Sequence, residues 1–491
     1  MGNIKSEFIH PQVDRQLIAS VIPGQVRLAV LEDEKLVEYY VERPGNERPA
    51  GNIYKGKVVN VLPGMDAAFV DIGLEKNAFL YVGDIALDKE NFKFKNNDKN
   101  LEIPEIADVL KQGEDLIVQV VKDPLGTKGA RITTHVTLPG RMLVLMPTMD
   151  YIGVSRRIEN ECERERLKSL AQEVCPEGMG IIIRTVAEGC EADELKNEII
   201  DLHTQWLNIQ AYANIKNSPA LIHRDNDLLM RSIRDLCSDY TSDFIINDKL
   251  EYQRISEMAS ALAPNWNGNV SFYDGDIFTD MDIEKMVDKT FSRRIWLKNG
   301  AYLIVDHTEA LTVVDVNSGK YVGTNNLQDT IINVNKEAAA EIARQVRLRD
   351  IGGIIIIDFI DMADEASKEE IISVLEEELK KDRTRTNVIG MTGLGLVEMT
   401  RKKIRQRVAT MMHKTCPYCH GSGRVINEET IALKILREFL NMQRYSPSEN
   451  YILKVHSDVA DYIESEKLLP ENVEIYRSRS AHVEFYKLSS S

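Results

Sequence analysis

The run Ile354-Ile355-Ile356-Ile357-Asp358 constrains the fold of this chain more than any other segment. An unbroken apolar run of this length, after Gly352-Gly353, reads as an apolar strand. A carboxylate at its end is costly unless it is paired or bound to a cation. Upstream, 302–306 and 310–317 read as strands. Residues 335–349 read as a helix with Ala339, Ile342 and Val346 on one face, ended by Gly352-Gly353. The strand–helix–strand order predicts a parallel pair with the helix packed across it.

The strand at 310–317 ends Val314-Asp315-Val316-Asn317. Asp315 and Asn317 are two residues apart and share a face. On neighbouring strands, Asp315 and Asp358 would meet at the carboxyl ends, where α/β sheets place ligands. Two close carboxylates repel, and a hard divalent cation such as magnesium relieves that repulsion. Such an ion polarises a phosphoryl oxygen and makes a hydroxide available near neutral pH. Asn317 is expected to orient Asp315 or to donate to a phosphate oxygen. Glu309 is a weaker supporting candidate, and Asp361 points elsewhere if the strand continues. Either aspartate alone fits a strand-end or helix-cap role better; the pair is what suggests metal.

A net charge of −16 over 491 residues argues against a nucleic-acid partner unless positive charge is concentrated locally. Such clusters exist. Residues 50–135 hold short strands at 53–62, 67–72, 78–82 and 115–122 punctuated by glycine, as in a small OB-type barrel. There Phe69 and Phe79 lie on consecutive strands, Lys55 and Lys57 alternate, and Lys128 sits in the turn GTKGAR. They form a base-stacking platform with phosphate contacts, or the two rings fill the barrel core. Residues 88–104 read as a long exposed loop. Ser155-Arg156-Arg157 and Arg184-Thr185 offer guanidinium and hydroxyl groups to a phosphate, or form salt bridges to the acidic helix at 159–173. Arg383, Arg385 and the run 401–407 are a third cluster, read as an RNA-holding or solvated helix face.

CPYCHGSG places Cys416 and Cys419 at CxxC spacing, half of a tetrahedral zinc site. A second copy of the chain supplies the remaining thiolates, or His413 and His420 complete the site locally. A redox CxxC would follow a strand and open a helix, which GSGRV does not resemble. The other four of the six cysteines, Cys162, Cys175, Cys190 and Cys237, read as buried small hydrophobes. The start, MGNIKSEFIHP, is no secretory signal, and no stretch is apolar enough to span a membrane, so cytoplasm is expected.

In order along the chain, NIYKGKV, AAFVDIG, NAFL, TKGA, LVLMP, SRRIE, RT, EALTVVDVNSG, EIARQVRLRDIGGIIIIDFIDM and CPYCHGSG resemble the ribonuclease E/G family over nearly its full length. The resemblance implies a bacterial, magnesium-dependent endoribonuclease that cuts single-stranded, AU-rich RNA in rRNA and tRNA processing and mRNA decay. It implies 5′-phosphate and 3′-hydroxyl products. Asp315 and Asp358 match its magnesium ligands and Asn317 its third catalytic-site residue. Cys416 and Cys419 match a zinc pair shared by two protomers, making a homodimer, with pairing of dimers into a tetramer left open. Phe69, Phe79 and Lys128 match RNA-binding residues of the barrel. Arg184, Thr185, Gly140, Val144 and Arg156 match a pocket reading a 5′-monophosphate.

The implied fold is multidomain α/β. An RNase H-like unit (1–49 and 231–290) is interrupted by an OB-fold barrel (50–135) and a 5′-end sensor (136–230). A DNase I-like catalytic unit (291–412), a zinc link (413–425) and a small α/β dimerisation domain (426–491) follow. About a dozen N-terminal residues are extra. On length the chain looks like a member without the long C-terminal scaffold of some relatives. Ile72 stands where some relatives carry an aromatic, which would weaken the stacking face. Two other functions fit parts of this pattern: a non-catalytic RNA-binding assembly factor, which would not need the carboxylate pair, and a magnesium phosphodiesterase acting on DNA or small nucleotides.

Overall fold

The structure, a computed structural model, describes residues 14–43, 49–86, 105–124, 128–237, 241–263, 266–319, 327–403, 407–445 and 447–490. The expected loop at 88–104, the extra N-terminal residues and positions 404–406 of the basic run lie outside them. The chain falls into two compact units, 1–408 and 409–491. Among the described residues no helix is long and apolar enough to cross a membrane.

The first unit is mixed α/β. Its first sheet joins distant parts of the chain. Arg15–Ile22, Gln25–Glu32 and Lys35–Glu42 form an antiparallel meander, and Thr241–Ile246 then Asn269–Phe272 add in parallel beside Arg15–Ile22. Everything between residues 49 and 237 is therefore inserted into this sheet. The meander docks on the helix Leu327–Leu348 through buried ions. Arg347 donates to Glu38 at 2.7 Å and to Glu32 at 2.8 Å, and Arg344 reaches the Leu36 carbonyl. Burial alone would raise the Glu38 carboxyl; the charges of Arg347 and Arg383, with hydrogen bonds from Tyr40 and Arg347, together outweigh it and hold it at about 2.

The first part of the insertion is a closed five-stranded barrel. Ile53–Leu62, Ala67–Asp71, Ala78–Tyr81, Arg131–Thr133 and Asp115–Lys122 pair in that order, and the last pairs back to the first. Val58, Ala68, Val70, Ile72, Ala78, Leu80, Val118 and Ile132 fill it. Gly56 lets the wall close: a Cβ there would stand 2.6 Å from Val70 Cγ1. Ile72, at 1% exposure, is part of this filling and not of any outer stacking face, which corrects its expected role. Ala220–His223 returns to the barrel edge beside Ile53–Leu62. Between lies a four-stranded sheet, Ile152–Val154, Gly180–Ile183, Leu143–Met146 and Leu138–Pro139, packed on the helices Glu161–Val174 and Ala192–Ile215.

The last sheet of the first unit runs Arg294–Trp296, Tyr302–His307, Leu311–Asn317, Gly353–Asp358, Leu396–Arg401, Thr386–Met391. Only the central pair, Leu311–Asn317 with Gly353–Asp358, is parallel, as the strand–helix–strand order predicts. One face carries Leu303, Val305, Val314, Val316, Ile355, Ile357 and Val397. They pack on Ala338, Ala339, Ile342 and Val346 of the helix Leu327–Leu348 and on Ile371, Leu375 and Leu379 of Glu365–Leu379. The isoleucine run is thus covered on one face only: Ile355 and Ile357 point inward, while Ile354 is 49% exposed.

The second unit has its own core. Tyr451–His456 lies between Val473–Ser478, parallel, and Tyr486–Ser490, antiparallel, with the helices Glu428–Tyr445 and Ser457–Ser465 packed on the sheet. Of the four scattered cysteines, Cys190 and Cys237 are buried and Cys175 partly so. Cys162 is exposed on the outer side of the Glu161–Val174 helix, contrary to expectation.

Candidate active site and RNA-facing surfaces

Asp315 and Asp358 are directly opposed in the parallel register. Alternation sends Val314, Val316 and Ile357 into the core and both aspartates to the open face, where both are exposed. Asn317 shares that face, and its amide donates to Asp315 Oδ2 at 2.9 Å. Burial, then the charges of Asp315 and Asp361, push the Asp358 carboxyl above its ordinary range. The arrangement is a like-charge pair held by backbone register, which an added cation would relieve.

Two expectations about this site are corrected. The strand ends at Asp358, so parity does not carry Asp361 away; it is near enough to act on Asp358 as a third charge. Glu309 lies in the turn before Leu311–Asn317, beyond the end of the strand that starts roughly 13 Å along it from Asp315. One positioning residue was missed. Asn335, fully buried, donates to the Ile360 carbonyl and accepts from the Ile360 N–H, clamping the backbone just beyond Asp358. An Asn on an otherwise apolar helix face was its signal. Among the described residues no group of three or more His, Cys, Asp or Glu side chains is gathered to hold a metal unaided. The two carboxylates do fit magnesium, which commonly keeps several waters and takes one or two carboxylates plus substrate phosphate.

On the barrel, Phe69 and Phe79 are paired across adjacent strands on the face opposite the core, with ring centroids 6.1 Å apart. Both are half-buried, so the core-filling alternative is excluded. Phe79 N–H donates to the Ala130 carbonyl, which brings the exposed Lys128 beside this strand. Gly129 is needed there because a Cβ would stand 2.0 Å from the Asn77 oxygen. Lys57 is exposed, whereas Lys55 is committed to the Ala213 and Lys216 carbonyls.

Arg184 donates to the Gly140 carbonyl at 2.6 Å and to Asp235 at 2.8 Å, not to the acidic helix. Thr185 shares a hydrogen bond with Ser155. Arg156, the next residue, is exposed, and Arg157 caps the Asp382 and Arg383 carbonyls. Gly140 is buried against Glu198, and Val144 is half-buried on the Leu143–Met146 strand. The structure therefore brings Arg184 and Gly140 into contact, and Thr185 beside Ser155.

The described residues of the third basic cluster do not lie on a helix. Arg401 ends the strand Leu396–Arg401, is 5% exposed, and is ion-paired to Asp382 and Asp350. Arg383 binds the Asp235 carbonyl, while Arg385, Lys402 and Lys403 are exposed.

In the second unit Cys416 and Cys419 occupy a turn. Backbone N–H groups of Gly423 and Gly421, with the Cys416 side chain, hold the Cys419 thiol below its ordinary range. The knuckle is anchored by Tyr418, whose carbonyl accepts from His482 and whose ring lies 4.1 Å from the His482 ring. Among the described residues neither His413 nor His420 joins the two cysteines in a three-ligand group.

A family model described as the Ribonuclease E/G family matches residues 137–404. The chain belongs to the ribonuclease E/G family. By family it is an endoribonuclease. A second family model, the thioredoxin-like domain of RNase E/G, matches residues 415–470. The chain is 42% identical to Ribonuclease G of Escherichia coli (strain K12) over 92% of its own length and 93% of that protein. It is 40% identical to Ribonuclease G of Haemophilus influenzae over 95% and 96%. With Ribonuclease E of Escherichia coli it shares 34% identity over 92% of this chain but 43% of the longer protein. In this ribonuclease E/G member the thioredoxin-like match begins at the CxxC turn, yet that turn neither follows a strand nor opens the Glu428–Tyr445 helix.

Proposed function

We propose that this endoribonuclease is magnesium-dependent and cuts single-stranded RNA at Asp315 and Asp358, leaving 5′-phosphate and 3′-hydroxyl ends. The observation that carries the reading is the direct opposition of these two carboxylates on an open sheet face, with the Asp358 carboxyl raised by burial and then by the charges of Asp315 and Asp361. When bound there, a magnesium ion neutralises the pair, polarises a phosphoryl oxygen and lowers the pKa of a bound water. Asp315 and Asp358 hold the site, and Asn317 fixes the Asp315 carboxylate through its 2.9 Å hydrogen bond. In the products named, the phosphorus–3′-oxygen bond breaks, water oxygen joins the phosphorus, and a proton goes to the 3′-oxygen.

The remaining residues take supporting roles in this reading. Phe69 and Phe79 stack bases and Lys128 meets phosphate. Arg184, Thr185, Arg156, Gly140 and Val144 receive a 5′-monophosphate, which stimulates cleavage. Cys416 and Cys419 share one zinc with a second chain, making a homodimer. The sheet carrying the aspartates corresponds to a DNase I-like unit, and the sheet split by the insertion to an RNase H-like unit. A 5′-labelled single-stranded oligoribonucleotide, incubated with and without magnesium, tests the core of the proposal. Internal cleavage only with the ion is expected. Equal cleavage in chelator would overturn it.

A further inference from the structure

The open face that carries the carboxylates continues beyond Asn317. Tyr302 is directly opposed to Asn317, and Trp296 directly opposed to Tyr302, so the three form one row across three strands. Opposed residues share a face, with Cβ atoms about 5 Å apart. Strand spacing and rise put Tyr302 roughly 8 Å from Asp315, backbone to backbone. The Trp296 and Tyr302 rings lie 5.2 Å apart, tilted by 59°. The Arg294 guanidinium stands 4.7 Å from the Tyr302 ring and 5.7 Å from that of Trp296.

Trp296 is 59% exposed on the outermost strand, where a charge is one of the usual protections against edge pairing. A lone exposed indole would mean little. Here it comes with a second ring, and with a cation that has no carboxylate partner among the described residues. Arg293, next to it, is by contrast neutralised by Asp306. An aromatic pair with an uncompensated guanidinium suits a ligand that is flat and anionic. Every nucleotide of single-stranded RNA offers both a π-face and a phosphate.

We propose that Trp296, Tyr302 and Arg294 form a stacking subsite for one base of the single-stranded RNA, close to the phosphate that is cut. The subsite rests on the reading of Asp315 and Asp358 for its place in the reaction, but not for its affinity. Stacking is tolerant of base identity, so the subsite positions the strand without selecting a sequence. It is separate from the Phe69–Phe79 pair, which belongs to the barrel.

The test is binding of a fluorescent single-stranded oligoribonucleotide to the full chain without divalent ions, so that cleavage does not intervene. Trp296→Ala should weaken binding roughly tenfold, and Trp296→Phe should restore most of it. An abasic nucleotide moved along the oligonucleotide should weaken wild-type binding at one position where Trp296→Ala is indifferent. Unchanged affinity in Trp296→Ala, or an equal loss at every abasic position, would overturn the proposal. So would a change in oligomeric mass in Trp296→Ala, which would assign the face to a second copy. Full cleavage by Asp315→Asn would remove the catalytic reading alone and leave the binding result standing.

Discussion

Asn317 donates its side-chain amide to Asp315 from two residues further along the same strand. A carboxylate that receives this bond is fixed in rotation and keeps its second oxygen free. The bond links the backbone period of two to the chemistry proposed for the site.

Asp315→Asn and Asp358→Asn should each lower cleavage by more than roughly 100-fold, and Asn317→Ala by about 10–100-fold, since orienting partners of metal ligands carry effects of that size. RNA binding should persist. The Asp358 carboxyl is raised in the fold, so its ionisation opposes folding: stability is higher while it is protonated and falls as pH rises through its elevated value. Magnesium should therefore stabilise the wild type against heat at neutral pH and stabilise Asp358→Asn much less. An equal thermal shift in both proteins would count against the pair as the ion's site.

Phe69→Ala and Phe79→Ala should weaken single-stranded RNA binding by about 1–3 kcal/mol each. Their rings lie outside the barrel filling, so unfolding of the barrel should change little. Loss of the fold with either substitution, seen by circular dichroism, would contradict the assignment of these rings to the outer face.

Arg184→Ala should equalise cleavage of 5′-monophosphate and 5′-hydroxyl substrates. Arg184 is already bonded to Asp235, so a phosphate must compete with or share that guanidinium. Asp235→Asn should then tighten 5′-phosphate recognition. Equal rates on the two substrates with the intact enzyme would reject the sensor.

Metal analysis of the purified protein should find about 0.5 zinc per chain, since two thiolates fill half a tetrahedron. Cys416→Ser should release zinc and shift the sedimenting mass to the monomer. One zinc per chain would refute sharing between subunits.

Acid should loosen the seam between the N-terminal meander and the Leu327–Leu348 helix. Glu38 is held down to about 2 in the fold from an ordinary 4.5, so its stabilising share is present above 4.5 and is lost as pH falls toward 2. Glu38→Gln should flatten the acid slope of thermal unfolding and lower stability at neutral pH, leaving Arg347 with Glu32 as its partner. An unchanged acid slope would show that the pair does not hold the seam.

Local patterning made much of this molecule legible. The parallel aspartate strands, the barrel strands and the tight CxxC turn all follow from periodicity of two, glycine punctuation and motif spacing. Much of what the sequence does not show depends on a partner distant in the chain. Arg401 looks like one of several surface bases, but Asp350 and Asp382 bury it. Lys55 alternates with Lys57 and yet is claimed by carbonyls near residue 215. Asp361 was misplaced because the strand stops at Asp358, and no local signal in the apolar run marks that end. Trp296 and Tyr302 were silent because only the register of three strands puts them beside Asn317.

The inserted barrel has a consequence for biogenesis. Val21 is bonded to Asn247, 226 residues later in the chain. At ~5–20 residues per second of synthesis, the first strands wait about 10–45 s for their parallel neighbours. The five barrel strands, all near one another in sequence, are complete well before then. A chain that folds as it is synthesised would close the barrel first, leaving Leu17, Leu28 and Val30, all buried in the finished fold, uncovered until the host sheet is complete.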